Sequence, residues 1–206
     1  MPLDIFLVVA PIVLASLTLH ELAHAFVAWK LGDPTAKEQG RITLNPLVHL
    51  DPLGTAMFAL TSLLTSFPFG WARPVPVDPR YFKRAKEGMA LVAAAGPAMN
   101  FVAGLGCLII LRHVELSGFW FDVLRYAYII NVVLGLFNLI PIPPLDGSRI
   151  IGAVMDNATY YRWVQLDQYG MFIVFGLYFV FQDEFTLVLN DALRVATRVM
   201  DVIVLA

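Results

Sequence analysis

The spacing of apolar residues along the chain predicts a helical protein that crosses a membrane several times. Apolar runs of about 18 or more residues with few charges are typical of membrane-spanning helices. One such run covers residues 3–31, and another covers residues 88–111 without a single charge. A third covers about 121–142, with Asp122 and Arg125 near its start. We expect these three segments to cross the bilayer.

Three further apolar runs are less regular. Residues 53–71 open beside Pro52 and are diluted by hydroxyl side chains, so this run either spans or only dips into the bilayer. Residues 169–181 are too few to span unless the helix begins near residue 163. Residues 185–206 carry a polar stripe, which suits an interfacial helix or a span whose stripe faces protein. The fold class predicted is therefore all-α, a polytopic bundle of about five to six membrane-embedded helices.

A small element is expected after the first helix. Residues 40–44 alternate polar and apolar side chains, as an edge strand does, although a plain loop explains them equally well. Together with residues 53–71 they predict a β-strand or re-entrant element. No repeat or soluble domain is visible, so we expect one domain over residues 1–206, with a core at 3–150 and C-terminal helices at 158–206.

The amino-acid composition supports an all-α membrane protein and excludes several classes of soluble protein. The chain of 206 residues is 59% hydrophobic and only 15% charged, with a mean hydropathy of +0.72 and a net charge of −2. A soluble domain usually carries about 25% charged residues. A cytosolic enzyme, a disordered chain and a nucleic-acid-binding domain are therefore excluded as interpretations, and the lipid bilayer is the expected surrounding. Cys107, the single cysteine, cannot form an intrachain disulfide, and the N-terminal segment is expected to be retained.

Ionisable side chains inside the first predicted span need a reason, because each costs roughly 2.5–3.5 kcal/mol at the bilayer centre on insertion scales. The span contains His20 and His24, four residues apart and so on one helix face, where both imidazoles can reach one ion. Glu21 between them is placed to take a proton from water. This H-E-x-x-H pattern is typical of zinc hydrolases; the alternative is a polar patch satisfied by neighbouring helices.

A catalytic zinc ion needs a third protein ligand, and none follows His24 closely. The best remaining candidate is Asp146, which follows a proline-rich break at the end of the run at 121–142. Because three prolines cannot donate backbone hydrogen bonds, residues 138–147 must be buried in protein or line a wet cavity. An ordinary turn or helix-capping aspartate is the alternative interpretation of Asp146.

Three ordered motifs in the chain resemble those of the site-2 protease family of intramembrane zinc metalloproteases. They are residues 20–24 (HELAH), 96–100 (GPAMN) and 138–147 (NLIPIPPLDG). Residues 45–55 and 70–79 resemble a compact prokaryotic branch of this family. The chain differs from larger members in having no PDZ or CBS domain, which leaves the control of substrate access unexplained.

The resemblance implies a function and a site. It implies one catalytic Zn²⁺ held by His20, His24 and Asp146, with Glu21 as general base and acid and Asn138 near the reaction. The implied activity is cleavage of a peptide bond within or near a transmembrane segment of another protein. A non-catalytic metal-binding scaffold is the alternative, as is a transporter, whose charged groups would be spread over several depths. The sequence does not decide whether the chain forms a homo-oligomer, nor what role His49 has.

Charge distribution predicts the orientation. Residues 30–86 hold eight of the fourteen Lys and Arg residues, whereas the connection from the run at 88–111 into the run at 121–142 holds only Arg112 and Arg125. By the positive-inside tendency, residues 30–86 are cytoplasmic, in a prokaryotic cell membrane. His20 and Asp146 can lie at the same depth in the bilayer only if residues 53–71 do not cross it. The site would then open towards the cytoplasm.

Overall fold

A computed structural model describes residues 2–64, 68–180 and 182–205. The predicted runs 53–71, 169–181 and 185–206 each include residues outside these ranges. The described residues form nine α-helices, most of them apolar. In chain order the helices are α1 (Leu3–Lys30), α2 (Thr35–Glu38), α3 (Pro52–Leu64), α4 (Ala85–His113), α5 (Phe119–Asn138), α6 (Asp146–Gly152), α7 (Asn157–Gln165), α8 (Asp167–Val180) and α9 (Gln182–Leu205).

Three described helices, α1, α4 and α5, are long and apolar enough to cross a membrane. They correspond to the three runs with the clearest pattern. The predicted count of five to six embedded helices is not confirmed. Helices α3 and α8 have 13 and 14 residues, and at 1.5 Å per residue each is only about 20 Å long. Helix α9 is long, but its polar stripe leaves it too hydrophilic to qualify.

Helix α4 is the centre of the bundle, since it packs against α1, α5, α6 and α9. One core cluster joins Leu108 of α4, Tyr128 and Val132 of α5, and Met200 of α9. Helix α9 is fastened there by polar contacts as well: the Tyr128 hydroxyl lies 2.5 Å from Thr197 Oγ1, and Arg112 pairs with Asp201. Part of its polar stripe therefore faces protein.

The bundle has polar groups inside and apolar side chains outside. Large apolar residues such as Leu7, Leu91 and Val102 are exposed, as expected for helices that face lipid. The buried positions of α1, α4 and α5 include polar residues: Ser16, Thr18, His20, His24, Asn100 and Asn131.

The edge strand considered for residues 40–44 is not formed: Gly40 lies in a turn and residues 42–44 form bends, in agreement with the loop alternative. Thr43 bonds locally instead: its Oγ1 accepts from the Asn45 amide (3.1 Å), and its carbonyl accepts from His49 Nε2 (3.0 Å). Extended pairing occurs further along, where Leu50 and Ala72 form an isolated antiparallel bridge. This bridge sets the two ends of the α3 segment side by side, the geometry of a chain that enters and leaves on one side.

The proline-rich segment ends α5 earlier than its apolar run predicted. The helix stops at Asn138 and not near residue 142, because Pro141 and Pro143 lack the N–H groups that helix continuation needs. The chain then folds back tightly on itself. A side chain at Gly147 would collide with the Leu139 carbonyl, so the turn that begins α6 requires glycine there.

Candidate metal centre

His20 and His24 meet Asp146 in the interior of the bundle. The two Nε2 atoms are 2.9 Å apart, and Asp146 Oδ2 lies 3.1 Å from that of His20 and 3.4 Å from that of His24. Both histidines are buried, with exposed fractions of 4% and 8%. Helix α1 supplies the histidines one turn apart, and the first residue of α6 supplies the carboxylate. Three ligand atoms thus lie within 4.8 Å of one another.

The hydrogen bonds at the far side of each ring fix which nitrogen carries the proton. His24 Nδ1 lies 2.7 Å from the carbonyl oxygen of Val92, which only accepts, so this nitrogen donates. His20 Nδ1 lies 2.6 Å from Asn100 Oδ1, also an acceptor. In the neutral rings both Nε2 lone pairs therefore face Asp146 and each other. This orientation is typical of metal-ligating histidines.

The donor set fits a zinc ion. Two lone pairs at 2.9 Å repel unless a cation or proton lies between them, and Asp146 Oδ2 is buried without a hydrogen-bond partner among the described residues. Zinc–nitrogen bonds of about 2.0–2.1 Å at tetrahedral angles hold ligand atoms about 3.3 Å apart, close to the spacing observed. Two imidazoles and one carboxylate also form a known catalytic zinc set that leaves one position open.

Gly96 of α4 leaves room for the imidazole rings of His20 and His24, which extend from α1. A Cβ atom at this position would lie 2.5 Å from both His20 Cε1 and His24 Nε2. Contacts below 3.0 Å are not tolerated, and the metal-binding edges of the rings are what a side chain would strike. The glycine of the GPAMN motif therefore has a steric reason.

Asn100 belongs to a polar network that joins three helices. Its Nδ2 donates to Asn131 Oδ1 on α5 (3.0 Å) and to the Ser16 carbonyl on α1 (3.3 Å). Asn131 Nδ2 in turn donates to Ser16 Oγ (2.9 Å). With both donors engaged, the amide of Asn100 has one orientation, and its oxygen faces His20.

This network predicts a loss of zinc affinity when Asn100 is removed. We expect Asn100→Ala to weaken zinc binding about 10- to 100-fold, the usual effect of removing the partner of a ligating histidine. Competition against a chelator of known affinity, with the purified protein in detergent, measures this. Thr18→Ala is the matched control, since Thr18 is also buried but, among the described residues, its hydroxyl bonds to Leu14 of its own helix alone (2.8 Å). Equal affinities in the two variants would contradict the role given to Asn100.

Glu21 lies beside the cluster, half-buried, and is not one of its three members. Its Oε2 accepts a hydrogen bond from the backbone N–H of Val75 (2.9 Å), in the extended segment after the Ala72 bridge. One carboxylate oxygen is thereby held by the backbone, and among the described residues no hydrogen bond is made to Oε1.

The other predicted residues lie apart from the cluster. Asn138 donates from Nδ2 to the carbonyl of Leu134 in its own helix (3.0 Å). His49 is fully buried and bonded to Thr43, as described above. Asp51 caps α3, since its Oδ1 accepts from the Gly54 amide (2.7 Å), which agrees with the interpretation of this residue as a turn aspartate.

Comparison with known proteins gives consistent matches. A family model described as peptidase family M50 matches residues 112–181, the part that contains Asp146. YwhC of Bacillus subtilis, provisionally named a zinc metalloprotease, is 43% identical over 188 residues, which cover 87% of this chain and 83% of YwhC.

Two more distant relatives are longer than the region they share with this chain. Rip2 of Mycolicibacterium smegmatis, also provisionally named a zinc metalloprotease, is 30% identical over 82% of this chain and 66% of its own length. The zinc metalloprotease MJ0392 of Methanocaldococcus jannaschii is 29% identical over 71% of this chain and 34% of its own. No solved structure matches.

Proposed function

We propose that this chain cleaves a peptide bond within or near a transmembrane segment of another protein. The chain belongs to peptidase family M50, the site-2 protease family, and is a zinc metalloprotease. The observation that carries the proposal is the convergence of two histidine Nε2 atoms and one carboxylate oxygen inside an apolar helical bundle. A buried hydrolytic centre of this kind suits a substrate that arrives through lipid.

The proposed ligands of the single zinc ion are His20, His24 and Asp146. When bound, zinc would act as a Lewis acid towards the scissile carbonyl and would make the attacking water more acidic. The protein has two tasks: to keep both imidazoles neutral with Nε2 inward, through Val92 and Asn100, and to hold the carboxylate of Asp146 against them.

Glu21 is the proposed general base. Its Oε1 takes a proton from the attacking water as the new C–O bond forms at the scissile carbonyl carbon. The same carboxyl then gives the proton to the departing amide nitrogen as the C–N bond breaks. Because Oε2 is held by Val75, the reacting oxygen stays in place through both transfers. Asn138 is retained as a candidate for contact with the substrate.

The position of the ligands along α1 sets their depth. His24 and His20 precede the C-terminal residue Lys30 by roughly six and ten residues, so they lie about 9–15 Å along the helix axis from that end. A substrate helix has its backbone groups bonded internally, and it must unwind locally before a carbonyl can be attacked. We treat residues 1–206 as one such catalytic domain, with its core at 3–150.

The proposed orientation, with the active site towards the cytoplasm of a prokaryotic cell, predicts a labelling pattern. In a Cys107→Ala background, Lys83→Cys should react with a membrane-impermeant maleimide only after the cells are opened, whereas Glu115→Cys should react in intact cells. Both side chains are exposed, and they lie at opposite ends of α4. Labelling of Lys83→Cys in intact cells would overturn the orientation.

A further inference from the structure

Arg41 places a buried guanidinium next to the catalytic region. This residue follows α2, is 4% exposed, and its Nη2 donates to the carbonyl oxygens of Arg73 (2.5 Å) and Pro74 (3.4 Å). Its own amide donates to Ala36 at 2.8 Å, which ties the loop to α2. Burial lowers the pKa of the Arg41 guanidinium, whereas the negative charge of Glu21 raises it. The charges of Arg41 and Glu21 are therefore close enough to interact.

The peptide unit between Pro74 and Val75 connects Arg41 to Glu21. Its carbonyl oxygen accepts from Arg41, and its N–H donates to Glu21 Oε2. Val75 is flanked by prolines on both sides, and it is therefore the only residue of 74–76 with a backbone N–H to offer. Polarisation along such a chain of hydrogen bonds strengthens each member.

The segment that carries this peptide unit is fixed on both sides of it. On one side, the Arg73 amide donates to the carbonyl of His49 (2.8 Å). On the other side, the Asp78 amide donates to Oδ2 of the fully buried Asp33 (2.7 Å). Between these anchors, Arg41 and Glu21 make the described side-chain hydrogen bonds to this backbone.

We propose that Arg41 is a positioning residue of the active site, which holds the Pro74–Val75 peptide unit against Glu21 and so fixes the orientation of the general base. This inference rests on the proposed function, because it assigns Arg41 a role through Glu21. Arg41 itself touches neither the substrate nor the three proposed zinc ligands.

A role in folding alone explains Arg41 less well. Burying a charged guanidinium costs free energy, and its Nε–H has no hydrogen-bond partner among the described residues. An apolar side chain of similar length would fill the same volume without this cost. What the guanidinium adds is a planar donor group that can contact two successive carbonyls, which a lysine ammonium does with less geometric control.

The first test compares Arg41→Met and Arg41→Lys with Arg80→Met as control. Arg80 lies between α3 and α4, in the segment that carries the Pro74–Val75 peptide unit; it is 88% exposed in its side chain and pairs with Asp78. We expect Arg41→Met to lower kcat about 10- to 100-fold, the size of effect produced by a misplaced catalytic group, with KM unchanged within about threefold. Arg41→Lys should recover part of this loss. Zinc content should stay at one ion per chain in every variant.

The second test removes the hydrogen bond between Val75 and Glu21 by changing its donor, the backbone N–H of Val75. Val75→Pro deletes the donor, while Val75→Ala keeps it and removes the two γ-methyl groups of the valine. The residue before a proline already favours extended backbone, which proline can adopt, so the substitution suits the local conformation. We expect kcat of Val75→Pro to fall at least about tenfold below that of Val75→Ala, and Arg41→Met to add little in the Val75→Pro background.

These outcomes separate the inference from the proposed function. If the wild type cleaves its substrate and Glu21→Gln does not, the proposed function stands whatever the Arg41 variants do. The inference is overturned if Arg41→Met keeps wild-type kcat, if its loss appears in KM or zinc content, or if Arg41→Met and Val75→Pro lower kcat in a fully additive manner.

Discussion

Replacement of Glu21 by glutamine is expected to abolish peptide cleavage while the chain keeps its zinc ion. The substitution is close to isosteric, and the amide oxygen of glutamine can still accept the Val75 N–H bond, so the local geometry is preserved. What is lost is the ability to take and return a proton, which contributes about 10²- to 10⁴-fold to the rate in enzymes that use a general base.

The measurement combines two readouts on the same preparations. Cleavage is followed by mass spectrometry on a panel of tagged single-span membrane proteins, each reconstituted with the enzyme in liposomes. Metal content is determined on the purified protein. Glu38→Gln is the matched control, because Glu38 is exposed on α2 and lies outside the three-residue cluster. Full activity in Glu21→Gln would refute the general-base role, and loss of its zinc would show that Glu21 is a ligand instead.

A methyl group at Gly96 is expected to disable the metal centre. The Cβ atom of Gly96→Ala would meet the imidazoles of His20 and His24 at about 2.5 Å, so α4 must move away from α1 or the rings must leave their positions. Either change separates the ligand atoms that now lie within 4.8 Å. Overpacking of this kind costs typically about 1–3 kcal/mol, and here it falls on the ligands themselves. Zinc content should drop well below one ion per chain, and activity with it.

The same helix offers the matched control for this variant. Gly106 lies on α4 three turns further on, and a Cβ atom there meets nothing within 4 Å. Gly106→Ala should therefore keep both zinc and activity, and the small gain in helix propensity should not be visible in either. A Gly96→Ala protein that binds zinc as the wild type does would show that the bundle can relax at this point, contrary to the packing described.

The sequence predicted those features that follow from local pattern. The three spans were recognisable because uninterrupted apolar runs have few other physical explanations. His20 and His24 could be placed on one face because helical periodicity fixes the relation of residues four apart. Asp146 was found as a ligand candidate because a proline-rich break in an apolar segment demands an explanation, and resemblance to a family supported the choice.

Features that depend on contacts between distant segments were not predictable. The alternation at residues 40–44 resembled a strand, but Thr43 there bonds to the nearby Asn45 and His49, and the pairing occurs at residues 50 and 72. Arg41 was counted only as one of the loop cations, since nothing in its neighbourhood signals burial. The signal at Val75 was present in the alternation of Pro74, Val75 and Pro76, which leaves one amide free, but its partner could be identified only in three dimensions.

The separation of the proposed zinc ligands along the chain has a consequence for how the enzyme is synthesised. Helix α1 leaves the ribosome early with both histidines, whereas Asp146 is added only after α4 and α5 have been synthesised. A nascent chain in the translocon thus carries an incomplete donor set. With these ligands, hydrolytic capability arises only once the late helices have packed, so the order of synthesis protects neighbouring membrane proteins from a half-built protease.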